Sequence, residues 1–180
     1  MDFEWLQDSA AAIDAAAGAA AAARQGQLTK PPGSLGRLEE LAIRLAGMQG
    51  VPEPSLERIH ISVFAADHGV AEEGVSAFPQ AVTVEMIRNF CRGGAAIAVL
   101  ARELGADFEV VDVGAATDPG PLSGLLSRRV AGGTANICRQ AAMSEQQRAA
   151  ALNVGRDAAR RADAAGARLF IGGEMGIANT

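Results

Sequence analysis

The stretch Arg58-Ile59-His60-Ile61-Ser62-Val63-Phe64-Ala65-Ala66-Asp67-His68-Gly69 decides the fold. Ile59, Ile61 and Val63 alternate with other residues, as a strand does when it shows one face to a core, and the run ends in an acid-histidine-glycine turn. The pattern returns twice. Phe108 to Val113 is a second short apolar strand closing in Asp112-Val113-Gly114, and Arg168 to Ile171 is a third, leading into Gly172-Gly173-Glu174. The segments between them have the helical period, except for the stretch after Gly114 as far as Met143, which is read as irregular. One helix is predicted from Thr83, read as its N-cap with Glu85 in the first turn, bent at Gly93-Gly94 and resuming to Leu104. Another opens on the capping box of Ser144 and Gln147 and stops at Gly166. Alternating strands and helices with short apolar strands predict an α/β fold, a parallel sheet with flanking helices. Ligands in such sheets bind beyond the carboxyl ends of the strands.

Upstream the reading is helical. Ser9 to Ala23 is nearly all alanine, with Gly18 a weak point, and predicts a helix that packs closely but buries little. After Pro31-Pro32-Gly33-Ser34, a second helix aligns Leu35, Leu38, Leu41, Leu45 and Met48 in one stripe and sets Glu40 and Arg44 at i,i+4. Pro52 and Pro54 end the helical region. Residues 1–55 are thus predicted as a helical N-terminal arm, and 56–180 as a parallel α/β domain.

Composition narrows the function classes. The 180 residues carry a formal charge of −5, which disfavours a sequence-independent grip on nucleic-acid backbone. With 49% hydrophobic residues and 21 glycines and 7 prolines, the chain is expected to fold around a packed core. Cys91 and Cys138 lie far apart and outside any C-x-x-C, which points to a reducing cytoplasm and to neither a disulfide framework nor a zinc site. The first residues are acidic, unlike a secretory signal, and the alanine tract is too short and polar to span a bilayer.

The strand ends carry the chemistry. Asp67, Asp112 and Glu174 each close or follow a strand, so the topology sets three carboxylates on one rim. Asp67 and Asp112 are read equally well as turn residues bonding nearby backbone. Glu174 lies in Gly172-Gly173-Glu174-Met175-Gly176-Ile177-Ala178-Asn179-Thr180, where glycines let a substrate approach the backbone and Asn179 or Thr180 begins a helix whose free N–H groups suit a phosphate. Arg128 to Asn136 is a second glycine-rich turn with cations beside it, read as a phosphate contact or a solvated loop. His68 is a general base or a hydrogen-bonded structural residue. His60, in mid-strand, is read as packing.

Four segments, in order, resemble a known family: Lys30-Pro31-Pro32-Gly33-Ser34-Leu35-Gly36-Arg37-Leu38-Glu39; Ala66-Asp67-His68-Gly69-Val70 with Gly74-Val75-Ser76; Pro79-Gln80-Ala81-Val82-Thr83; and Gly173-Glu174-Met175-Gly176-Ile177-Ala178-Asn179-Thr180. From about Gln27 onward the chain resembles nicotinate-nucleotide:dimethylbenzimidazole phosphoribosyltransferases. The resemblance implies a Rossmann-like domain with a small helical domain, a homodimer in the cytoplasm, and no metal or cofactor. It implies transfer of phosphoribose from nicotinate mononucleotide to 5,6-dimethylbenzimidazole, giving α-ribazole 5′-phosphate and nicotinate for the nucleotide loop of cobalamin. It places Glu174, Gly176, Asn179 and Thr180 against the nucleotide, and Phe78, Gln80 and Met86, with Asp67, at the substrate site. The family's general-base glutamate lies in a carboxy-terminal half beyond residue 180, so no turnover is expected of these residues alone. Two departures stand out: Ala178 replaces a common glycine, and Arg139-Gln140-Ala141-Ala142-Met143 lacks the usual Gly-Pro. Two other readings remain, a non-catalytic nucleotide-binding or dimerisation module, and a metal-dependent phosphohydrolase using Asp67, Asp112 and Glu174 around Mg²⁺.

Overall fold

A computed structural model describes residues 4–180, which divide into two compact units, one ending at Glu57 and one spanning Arg58–Thr180. In the first, α1 (Ala15–Gln25) pairs with α2 (Arg37–Gln49). α1 begins at Ala15 and not at Ser9, because a run of alanine has no punctuation of its own. The boundary is set by Asp14, whose Oδ1 accepts the Ala17 N–H at 2.9 Å while its own N–H donates to the Gly47 carbonyl at 2.9 Å. The seam between the helices consists of small residues, Ala17 and Ala21 against Ala46 and Gly47. A Cβ on Gly47 would strike the Ile13 side chain, so this seam depends on glycine at that position. Glu39, not Glu40, finds the cation: Lys30 Nζ lies 2.9 Å from its Oε1 and closes the Lys30–Glu39 loop on itself. The leucine stripe of α2 faces away from α1, and Leu38 is 63% exposed.

The second unit is a four-stranded parallel sheet in the order β3-β2-β1-β4. β1 (Ile59–Ala66) and β2 (Asp107–Gly114) pair from His60↔Asp107 onward, and a register shift between Ala65 and Ala66 brings Ala66 opposite Gly114. β3 (Leu125–Ser127) is a three-residue strand within the stretch expected to be irregular. β4 (Leu169–Met175) runs four residues past the expected strand end, so Glu174 lies within the strand, opposite Phe64 of β1.

α3 (Ala81–Cys91) and α4 (Ala96–Glu103) connect β1 to β2, and α5 (Glu145–Ala164) connects β3 to β4. The odd face of β1 forms the core: Val63, Ala65 and Val110 pack on Val84, Ile87 and Phe90 of α3. The even face meets α5. There Glu109 accepts hydrogen bonds from Ser62 Oγ at 2.7 Å and from Arg161 Nη2 of α5 at 2.8 Å. Burial pushes the Glu109 carboxyl up, but the Arg161 and Ser62 hydrogen bonds and the charges of Arg161 and His60 pull it down further, so it rests below the ordinary carboxylate range. His60 is buried on this face and stacks on Phe170, with ring centroids 6.0 Å apart, as its packing role requires. The capping box of Ser144 and Gln147 opens α5 as expected. Helices on opposite faces follow from right-handed crossovers running first one way from β1 and then back past it. The strand order therefore reverses between β1 and β4.

Candidate active site

The crevice at that reversal holds a cavity of about 470 Å³. It lies within the about 300–1,000 Å³ range of small-molecule sites, and at the point in an open α/β sheet where such sites form. Phe64, Ala65 and Ala66 of β1 form one wall, Glu174 and Met175 of β4 another, and Ala151 and Gly155 of α5 a third, with His68, Asn179 and Thr180 at the rim. Gly155 stands in a helix interior, where glycine is costly, and a Cβ there would meet nothing within 4 Å. The sequence reading passed over Gly155, and a glycine in a helix interior is the signal that could have singled it out.

A second cavity of about 220 Å³ adjoins the first, sharing Ala66, His68, Val113 and Ala151, and is closed by Asp67, Val130, Gly133, Thr134, Met143 and Gln147. His68 thus borders both.

The loop after β1 is held on every side. The Asp67 N–H donates to Gly114 O at 3.0 Å, the Thr134 N–H to Asp67 O at 3.0 Å, the Gly69 N–H to Thr134 O at 3.1 Å, and Gln80 Nε2 to His68 O at 3.0 Å. Asp67 is fully buried with both oxygens occupied: Thr83 Oγ1 donates to Oδ1 at 2.6 Å and the Ala116 N–H to Oδ2 at 2.7 Å. Thr83 is accordingly not an N-cap. The helix begins two residues earlier, and the hydroxyl is spent on long-range partners, because Ile177 N–H also donates to it at 3.1 Å.

The turn after β4 is pressed against this loop. A Cβ on Gly176 would collide with the Ala66 carbonyl oxygen and stand 3.2 Å from His68 Nε2, so only glycine fits. The Asn179 N–H closes the turn on Gly176 O at 3.3 Å. Ala178 has φ +68°, the only positive φ outside glycine among the described residues, in a position that turns of this kind give to glycine or asparagine.

The three carboxylates share one end of the sheet but not one site. Asp112 is fully buried, paired with Arg129 Nη1 at 2.9 Å and accepting the Ala115 N–H at 2.8 Å. Glu174 is exposed and lines the first cavity. Among the described residues no three His, Cys, Asp or Glu side chains converge as metal ligands would. A tricarboxylate Mg²⁺ centre is therefore corrected by the geometry: protein donors already saturate Asp67 and Asp112. In the Arg128–Asn136 turn, Arg129 is held by Asp112 and Asn136 Nδ2 donates to Glu73 at 2.6 Å, while Val130, Gly133 and Thr134 line the second cavity. Asn136 O accepts the Arg139 and Gln140 N–H groups, which supports the following turn without the expected Gly-Pro.

Of the remaining expected site residues, Gln80 touches the loop through its bond to His68, Met86 packs against the core, and Phe78, 65% exposed, lies outside the lining of both cavities. Cys91 and Cys138 are unpaired. No described helix is long and apolar enough to cross a membrane.

Comparison with known proteins bears on the family and the fold. A family model described as "Phosphoribosyltransferase" matches residues 10–180. The chain is 58% identical over its full 180 residues to a protein named nicotinate-nucleotide--dimethylbenzimidazole phosphoribosyltransferase from Xanthomonas campestris pv. campestris (strain B100), covering 52% of that protein. It is 57% identical over 180 residues to one of the same name from Pseudomonas aeruginosa (strain UCBPP-PA14), covering 51% of it. The crystal structure of the enzyme so named from Thermus thermophilus superposes with a TM-score of 0.86 at 50% identity, over 93% of this chain and 51% of that one. The chain spans about half the length of the curated relatives it matches. The match of that model over residues 10–180, nearly the whole chain, shows that the chain belongs to this phosphoribosyltransferase family.

Proposed function

We propose that the chain forms the nucleotide-binding part of an enzyme that moves phosphoribose from nicotinate mononucleotide to 5,6-dimethylbenzimidazole, yielding α-ribazole 5′-phosphate and nicotinate in cobalamin assembly. One observation carries the reading: the Gly173–Thr180 motif delivers Glu174, Asn179 and Thr180 to a single cavity at the switch point of the sheet.

The chemistry asks for three things. Nicotinate leaves from a pyridinium, taking the electron pair of the C1′–N bond and neutralising its own charge, while C1′ gains oxocarbenium character. The Glu174 carboxylate at the cavity wall is placed to favour that positive charge electrostatically. The 5′-phosphate needs N–H donors and close backbone approach, which the Gly176–Thr180 turn offers. The incoming azole attacks C1′ through one ring nitrogen and loses a proton to a base, and it needs an apolar slot to hold its plane. We assign Phe78, Gln80 and Met86 to that slot and Asp67 to the wall behind it. Phe78 is a solvent-exposed aromatic on the segment leading into α3, available to cover a flat ligand. The working form is a homodimer in the cytoplasm, where unpaired Cys91 and Cys138 are in keeping with a reducing medium.

Titration calorimetry tests the reading. Nicotinate mononucleotide is expected to bind with one site per chain, and Glu174→Gln or Asn179→Ala to weaken it about tenfold. Absence of binding at millimolar nucleotide overturns the proposal. Binding without nicotinate release, even when the chain is joined to the remaining length of its relatives, favours a non-catalytic module.

A further inference from the structure

Three segments distant in the sequence meet at one hydroxyl. Thr83, fully buried in the first turn of α3, donates to Asp67 Oδ1 after β1 at 2.6 Å and accepts the Ile177 N–H after β4 at 3.1 Å. A backbone N–H only donates, and a hydroxyl has one proton, so accepting Ile177 leaves the Thr83 proton for Asp67. The Ala116 N–H on Oδ2 stops Asp67 from turning away. The direction of the chain Ile177 N–H to Thr83 O–H to Asp67 is therefore fixed at its amide end.

The segment so held is under strain. Ala178 keeps φ +68°, a conformation that L-residues rarely adopt, and such strain persists only where the surroundings impose it. The imposed contacts are two: Gly176 seated against the Ala66 carbonyl, and Ile177 N–H fastened to Thr83. Neither Thr83 nor Asp67 lines the 470 Å³ cavity, whereas Asn179 and Thr180, two and three residues past the fastened amide, do.

We propose that Thr83 and Asp67 are positioning residues that set the Gly176–Thr180 turn, and with it the cavity's grip on the phosphate of a phosphorylated sugar, without touching the substrate. The inference rests on the nucleotide reading of that cavity. It goes beyond that reading in placing control of the turn's grip on the phosphate in a buried relay behind the cavity.

The experiment compares nicotinate mononucleotide with nicotinate riboside, identical but for the phosphate, in wild-type, Thr83→Val and Thr83→Ser chains. Thr83→Val keeps the shape and leaves Ile177 N–H and Asp67 Oδ1 unpaired. It is expected to weaken the mononucleotide about tenfold and the riboside less than about twofold, and Thr83→Ser to restore the mononucleotide. A general loss of structure would weaken both ligands alike, and that result overturns the relay. A wild-type chain with no preference for the mononucleotide overturns the phosphate reading itself. A preference that survives Thr83→Val overturns the relay alone. Should Thr83→Val fail to fold, amide exchange in the wild-type chain decides: Ile177 N–H is expected to be protected like the amides of β1, and exchange at the rate of an open loop refutes the relay.

Discussion

Replacing Gly176 with alanine tests the packing on which the site depends. The new Cβ would sit inside contact distance of the Ala66 carbonyl oxygen and within 3.2 Å of both its carbonyl carbon and His68 Nε2. Ala66 cannot give way easily, since it is paired with β2 at Gly114 and followed by a loop tied down at Asp67, His68 and Gly69. The turn must move instead, by about 1 Å, to restore ordinary packing. That displacement is enough to break the 3.1 Å bond from Ile177 N–H to Thr83, leaving a buried donor unpaired at about 1–3 kcal/mol. Residual overpacking adds about 1–3 kcal/mol, so the expected loss is about 2–6 kcal/mol if the turn stays seated. If the turn instead lifts off, the loss moves from global stability into local protection. Urea denaturation and amide exchange followed together capture both routes. A Gly176→Ala chain with unchanged midpoint and undiminished protection at Ile177 would refute the close approach of the turn to β1.

Ala178→Gly should do the opposite, raising stability by about 0.5–1 kcal/mol in urea melts, because glycine accepts the positive φ without penalty. Arg129→Ala should cost about 2–3 kcal/mol by the same assay, toward the low side of a broken buried pair, since the arginine is partly open to solvent while Asp112 is not; Arg129→Lys should recover part of it. Glu109, whose carboxyl lies below its ordinary value in the folded chain, contributes stability that is complete above the unfolded value of about 4.3 and fades as pH falls through the lower folded value. The stability difference between wild type and Glu109→Gln should therefore be largest near neutrality and close at strongly acidic pH, and a gap that widens on acidification would contradict the Arg161 and Ser62 contacts.

Features that are local in the chain were legible from it. The alternation in Ile59–Val63 and the Ser144–Gln147 capping box each report on neighbours a few residues away, and both elements stand where expected. Boundaries failed where the deciding group was silent or distant. The alanine run from Ser9 carries no phase, so its helix starts only where Asp14 caps it. Gly172-Gly173 reads as a strand end, yet β4 continues because β1 supplies backbone partners as far as Ala65↔Met175. β3, three residues behind Gly124, is too short to show a period.

The site divides the same way. Glu174, Asn179 and Thr180 were recognisable from the glycines around them, and the cavity brings them together. Thr83 reads locally as a helix cap, whereas its hydroxyl serves Asp67, 16 residues before it, and Ile177, 94 residues after it. No periodicity within one segment encodes such a pairing. Asp67 and Asp112 were ambiguous between substrate rim and buried anchor for a related reason: the donors that saturate them, Ala116 N–H and Arg129, come from segments whose path only the folded chain defines.

The most direct measurement is a crystal structure of the chain soaked with nicotinate mononucleotide. The 5′-phosphate is expected within hydrogen-bond distance of the Gly176–Thr180 backbone, with the ribose toward Glu174. Nucleotide density in the smaller cavity behind His68, or at any site away from the β1–β4 crevice, would contradict it.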